Sequence, residues 1–247
     1  MPVTLAIVRL LNSLLMGVEV KAYQAIGIGP AEAAQNALKV NETFAYELLV
    51  VAGLIAFFCI VRLTLSVEKP NPAQQIAEMV HEFTGSQADQ VIGHGYERFQ
   101  AYVTCIFLFV VLNNLLGLIP GIVTPTSQPW VPLGIAVLTF IYYHFQGFRA
   151  QGFTGYLKQF VGPMWWISPL LFPIEIISHC ARMMSLTIRL YANMFASDLV
   201  TLVFFSLIPV AVPALFLGLH AFVSVIQAYV FMLLSMIYLS QAVSHEH

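Results

Sequence analysis

The chain has 247 residues, of which 59% are hydrophobic and 9% charged, and a formal net charge of −2. Soluble domains carry about 25% charged residues, so this composition excludes a soluble globular fold and describes an integral membrane protein. The weakly negative balance excludes a nucleic-acid footprint.

At the N-terminus, Met1 to Arg9 lacks a basic leader and Arg9 interrupts the apolar run, which argues against a cleaved signal peptide. Residues 4–16 fit a short helix at the membrane interface, and no function is assigned to segment 1–45. The first strong span is 46–66, closed by Lys69-Pro70-Asn71-Pro72, where proline stops a helix. In 73–92, Ile76, Met79, Val80 and Phe83 keep helical spacing, with Gln75, Glu78, Glu82 and Gln87 between them. That pattern predicts a short amphipathic helix on the membrane surface; a plain cytoplasmic loop is the alternative.

Residues 99–148 read as a helical hairpin. One span runs over 99–119 to Leu118-Ile119-Pro120-Gly121, a polar turn follows at Thr124-Pro125-Thr126-Ser127-Gln128-Pro129, and the next span covers 131–148. A polar connection with Arg149, Gln151, Lys158 and Gln159 comes next. Residues 164–243 are almost continuously apolar, with Pro209 and Pro213 near the middle. They predict a hairpin of two helices of roughly 35 residues, each about 50 Å long. The hydrocarbon core is only ~30 Å thick, so such helices are tilted, kinked or partly outside the bilayer. The fold expected is therefore an all-α integral membrane protein forming a single membrane domain over 1–247. It has about five membrane helices, a surface amphipathic helix and a C-terminal hairpin of two long tilted helices.

Arg62, Lys69 and Arg98 flank the connection between the first two spans, and Arg149 and Lys158 follow the third, whereas the turns at 120–130 and 208–213 have no Lys or Arg. By the positive-inside rule the N-terminus is outside and the C-terminus cytoplasmic. Cys59, Cys105 and Cys180 lack metal-ligand spacing and read as buried reduced thiols. His81, His94, His245 and His247 read as solvated, and no metal or cofactor site is expected.

The chemistry concentrates in the last hairpin. Glu175, Arg182 and Arg189 recur every seven residues, nearly two helical turns, and so share a face. Asn193 joins that face, and Asp198 points elsewhere. His220, Gln227 and Tyr238 form a stripe on the second helix. Residues equidistant from the turn near Pro209 should meet, which pairs Asp198 with His220, Arg189 with Gln227, and Glu175 with Tyr238. A carboxylate and an imidazole at one depth can exchange protons near neutral pH. Arginine stays protonated in essentially any protein environment, and placing one at the centre of a membrane helix costs about 2.5–3.5 kcal/mol on insertion scales. Arg189 thus implies a use or a partner. Arg182 reads as a snorkelling side chain near the interface. Asn113 and Asn114 read as inter-helix hydrogen bonders. His179 lies one turn from Glu175, too few ligands for a metal.

The run Ser185-Leu186-Thr187-Ile188-Arg189-Leu190-Tyr191-Ala192-Asn193 resembles the arginine motif of subunit a of F-type ATP synthases. Ile226-Gln227-Ala228 through Tyr238-Leu239-Ser240, Asn114-Leu115-Leu116-Gly117-Leu118-Ile119-Pro120-Gly121 and Thr124-Pro125-Thr126 are similar to that family too. The sequence departs from the family pattern at Arg182-Met183, Tyr191-Ala192 and Asp198, and lacks an aspartate after Thr126. The resemblance implies a non-catalytic, proton-translocating stator subunit with two half-channels to the carboxylates of a c-ring. It implies peripheral-stalk b subunits and the whole synthase as partners, in a bacterial plasma membrane. Arg189 would separate the half-channels, Glu175, Asp198 and His220 would carry protons, and Gln227 and Asn193 would position the arginine and water. Tyr238, Ser185, Arg182, Asn114 and His179 are further path or packing residues. Sodium coupling by the same subunit, an unrelated secondary transporter, and a membrane enzyme or assembly protein are the alternatives.

Overall fold

The computed structural model describes residue 13 and residues 42–66, 70–119, 122, 124–161, 168–207 and 211–243. The expected interfacial helix at 4–16, the turn around Pro209, and His245 and His247 lie outside the described residues. Six long helices and one 3-10 turn are present among them, and no strand. They are α1 (Glu42–Leu63), α2 (Pro72–Ile92), α3 (Glu97–Leu116), α4 (Trp130–Val161), α5 (Ser168–Leu207) and α6 (Ala211–Val243), with the 3-10 turn at Pro125–Ser127 between α3 and α4. The chain packs as two units, 1–54 and 55–247, divided within α1, and the candidate functional residues all belong to the larger one.

Among the described residues four helices are long and apolar enough to cross a membrane: Thr43–Leu63, Glu97–Leu116, Trp130–Gly152 and Ala214–Val243. α5, expected as a span, is not among them. It nevertheless packs along α4 and α6. Its 40 residues span ~60 Å at 1.5 Å per residue, longer than the sequence pattern suggested.

Residues 72–92 form a helix rather than a loop. Pro72 opens it at the position where a missing N–H costs nothing, and Gly93 and Gly95, both at positive φ, close it. The apolar residues Ile76, Met79 and Phe83 face outward, and the buried face is Thr84, Gly85 and Ala88. Thr84 and Thr104 of α3 share a 2.8 Å hydrogen bond, Gln100 Nε2 donates to the His81 carbonyl (2.8 Å), and Tyr229 of α6 donates to Gln87 Oε1 (2.9 Å). A Cβ at Gly85 would lie 2.5 Å from Gln100 Nε2 and displace that side chain from its bond to His81. Gln74 clamps the end of α1 by exchanging hydrogen bonds with both the N–H and the carbonyl of Ser66.

The stretch after 148, expected as a polar connection, is helical. α4 breaks only at Gly152, with φ +73°, a conformation that favours glycine. Tyr156 then stacks back against Gly147, where a Cβ would lie 2.5 Å from its ring. Burial pushes its hydroxyl pKa up to about 12. The main core lies where α3, α4, α5 and α6 meet: Val110, Ile135, Leu190, Met194, Ala228 and Phe231 are its centre. Cys59, Cys105 and Cys180 are free but exposed, not buried. They occupy helix faces that no other part of the described chain covers.

Candidate functional site: two imidazole–carboxylate pairs on one hairpin

Leu186, Leu190 and Met194 recur every four residues on α5 and fill the core. Helical geometry then turns Arg189 roughly 100° away from that stripe, where it is exposed. Its neighbours on that side include Ile188 and Phe195 of α5, and Phe222 and Ile226 of α6 are likewise exposed. Among the described residues Arg189 has no hydrogen bond or ion pair. Gln227, expected beside it, is buried and accepts instead from Asn193 Nδ2 (2.8 Å). The pairing has slipped by one helical turn, and the arginine is left unpartnered in this chain. Ser185 is also exposed on α5.

Toward the end where α5 finishes and α6 begins, His220 Nδ1 lies 3.8 Å from Asp198 Oδ1. Thr124 donates to that same oxygen (2.8 Å), and Ser197 Oγ lies 2.6 Å from His220 Nδ1. His220 Nε2 is 3.4 Å from the Asn114 carbonyl. A carbonyl only accepts, so Nε2 can donate there, while Nδ1 has the Ser197 hydroxyl as its nearest partner and the Asp198 carboxylate beyond it. The carboxylate, the imidazole and two hydroxyls thus form one polar cluster. Asn114 ties the elements together by donating to the Ser224 carbonyl (3.3 Å) and accepting from Thr126 (2.5 Å). Asn113, expected to bridge helices, donates within α3 to the Phe109 carbonyl. Gly117 completes the cluster: a Cβ there would overlap Thr124 Oγ1 and come within 3.1 Å of His220 Nε2.

Toward the other end, Glu175 Oε1 lies 3.2 Å from His179 Nε2, and His179 Nδ1 is 2.9 Å from the Tyr143 hydroxyl. Arg182 does not snorkel freely. It is half-buried, donates to Gln241 Oε1 (2.5 Å) and lies 5.4 Å from the Tyr238 ring centroid. Tyr238 therefore meets Arg182 rather than Glu175. His144 stacks edge-on to His179 at 5.1 Å.

Sequence reasoning named Asn114, Asp198, His220, Glu175 and His179 but missed Thr124, Ser197, Tyr143, His144 and Gln241 as members of these clusters. A readable signal existed for Tyr143 and His144, two titratable groups inside an apolar span. Thr124 and Ser197 carry no such signal, since hydroxyls are common in turns and helices.

The sequence profile of the ATP synthase A chain family matches residues 44–240. The chain belongs to that family. ATP synthase subunit a of Koribacter versatilis is 52% identical over 208 residues, covering 84% of this chain and 85% of the relative. That of Solibacter usitatus is 48% identical over 201 residues, covering 81% and 86%, and that of Bdellovibrio bacteriovorus 41% identical over 172 residues, covering 70% and 75%. Four apolar helices within an ATP synthase A chain make this a multi-pass membrane protein. His81 and His94 are exposed, as solvated side chains would be.

Proposed function

We propose that this chain is the proton-conducting stator subunit of a rotary F-type ATP synthase, non-catalytic on its own. The observation that carries this reading is Arg189: a permanent cation on an exposed apolar face, unpartnered among the described residues, between two imidazole–carboxylate pairs. A c-ring carboxylate is the partner that such a face fits. At 4 Å and an effective dielectric of 20, two unit charges attract by about 4 kcal/mol. That favours proton release from the passing carboxylate without arresting the ring. Lysine is a poorer choice because burial neutralises it.

In this reading the Asp198–His220 cluster lines one half-channel and Glu175 the other, with Arg189 preventing a direct leak between them. Asn193 and Gln227, bonded to each other, shape the polar floor one turn from the arginine. The loop charges support five spans with the N-terminus outside and the C-terminus cytoplasmic, and the bacterial relatives support a plasma-membrane location. Peripheral-stalk b subunits complete the stator. Protons are favoured over sodium because an imidazole beside a carboxylate can relay a proton but offers sodium no oxygen ligand.

Arg189→Ala in the assembled synthase is expected to abolish ATP-driven proton pumping into membrane vesicles, with passive leak unchanged or raised. Normal coupled pumping by this variant would overturn the reading. Pumping that stops in sodium-depleted buffer would reassign the ion.

A further inference from the structure

The Glu175 end of the hairpin contains a three-residue chain that crosses from α5 to α4. His179 is one turn after Glu175 on α5 and mostly buried, with 12% of its side chain exposed against 37% for Glu175. Its Nε2 faces Glu175 Oε1 at 3.2 Å, and its Nδ1 faces the hydroxyl of the buried Tyr143 at 2.9 Å. Both ring nitrogens thus meet groups whose hydrogen-bonding roles reverse. When Glu175 is ionised it only accepts, so Nε2 carries the hydrogen and Nδ1 accepts from Tyr143 O–H. When Glu175 is protonated it donates to Nε2, and Nδ1–H donates to the Tyr143 oxygen.

We propose that His179 is a positioning residue for Glu175, held by Tyr143, which switches tautomer so that Glu175 keeps its hydrogen bond in both protonation states. The proton count balances: one proton is gained or lost at Glu175, and the imidazole only exchanges which nitrogen carries its single hydrogen. The proton step then occurs without stranding a half-buried carboxylate. This inference rests on the reading of Glu175 as a path residue. The other titratable groups around the chain are His144 and Tyr156 of α4, Arg182 of α5 and Tyr238 of α6. Arg182 is held by Gln241 and Tyr238, and His144 Nδ1 is 2.9 Å from the Phe140 carbonyl, so neither replaces His179 as the partner of Glu175.

The test compares ATP-driven proton pumping by assembled synthases carrying His179→Leu, His179→Gln and Tyr143→Phe across pH 6–9, with subunit content and ATP hydrolysis as assembly controls. Removing a hydrogen bond to a charged group is worth about tenfold or more. His179→Leu is expected to lose about tenfold across the profile. His179→Gln, whose amide offers both a donor and an acceptor, should recover most of the rate, and Tyr143→Phe should fall between the two. Equal rates and profiles for His179→Leu and the unaltered protein overturn the proposal. So does an assembled His179→Gln no better than His179→Leu. With Arg189→Ala measured in parallel, a dead arginine variant beside a flat His179 series removes only this inference.

Discussion

The two ends of the α5–α6 hairpin build the same chemical pair from different elements. At the Asp198 end, carboxylate and imidazole come from different helices, and His220 is almost fully buried, with 1% exposed. Its Nε2 faces the Asn114 carbonyl, and its Nδ1 faces the Ser197 hydroxyl with the Asp198 carboxylate beyond. At the Glu175 end, both groups come from one helix, and the nitrogen facing an ionised Glu175 is the one carrying hydrogen. The same two chemical groups, carboxylate and imidazole, thus meet different third groups at the ring: a backbone carbonyl in one case, a phenol in the other. The tautomer, set by the more distant hydrogen bond, decides which way an imidazole–carboxylate pair can move a proton.

The contrast between the two ends is tested hardest at Asp198. Asp198→Asn and His220→Ala are each expected to slow ATP-driven pumping by about 10²-fold, the scale of a lost acid–base group, while the arginine variant stops it. Wild-type rates for both across pH 6–8 would remove that cluster from the path. Gly117→Ala should come next, because the new Cβ overlaps Thr124 and crowds His220. Overpacking of this kind costs about 1–3 kcal/mol, so thermal stability of the complex and pumping should both drop. Gly134→Ala, which meets nothing within 4 Å, is the matched control and should change neither. The smallest effect is expected from Thr124→Val, which removes one donor to Asp198 and should lower flux roughly tenfold or less. Thr124→Ser should restore it, and a serine variant as slow as the valine one would assign Thr124 to packing alone.

Pairing by distance from the turn was accurate near the turn and drifted away from it. Asp198 meets His220, but Gln227 meets Asn193, one turn from Arg189, and Tyr238 meets Arg182, two turns from Glu175. Helices that cross at an angle are in register only near one point, so counting residues loses accuracy along their length. The apolar stripe of α2 shows a related limit. Helical spacing located Ile76, Met79 and Phe83 on one face, but that face points outward, and the small residues Thr84, Gly85 and Ala88 make the close contact with α3. In a membrane protein an apolar stripe can face lipid, so periodicity finds a face without saying which side is the core.

The helical membrane character, the long final hairpin and the solitary charge at Arg189 were all legible in the amino-acid sequence. Each depends on local properties: apolar runs, proline and glycine breaks, and the fixed protonation of a guanidinium. Tertiary packing was needed to leave Arg189 without a partner while Asn193 takes Gln227. It also brought Thr124 and Asn114 to the Asp198–His220 pair, and Tyr143 to His179. Those contacts join residues far apart in the chain, and their geometry depends on how α3, α4, α5 and α6 cross in the shared core rather than on any one helix.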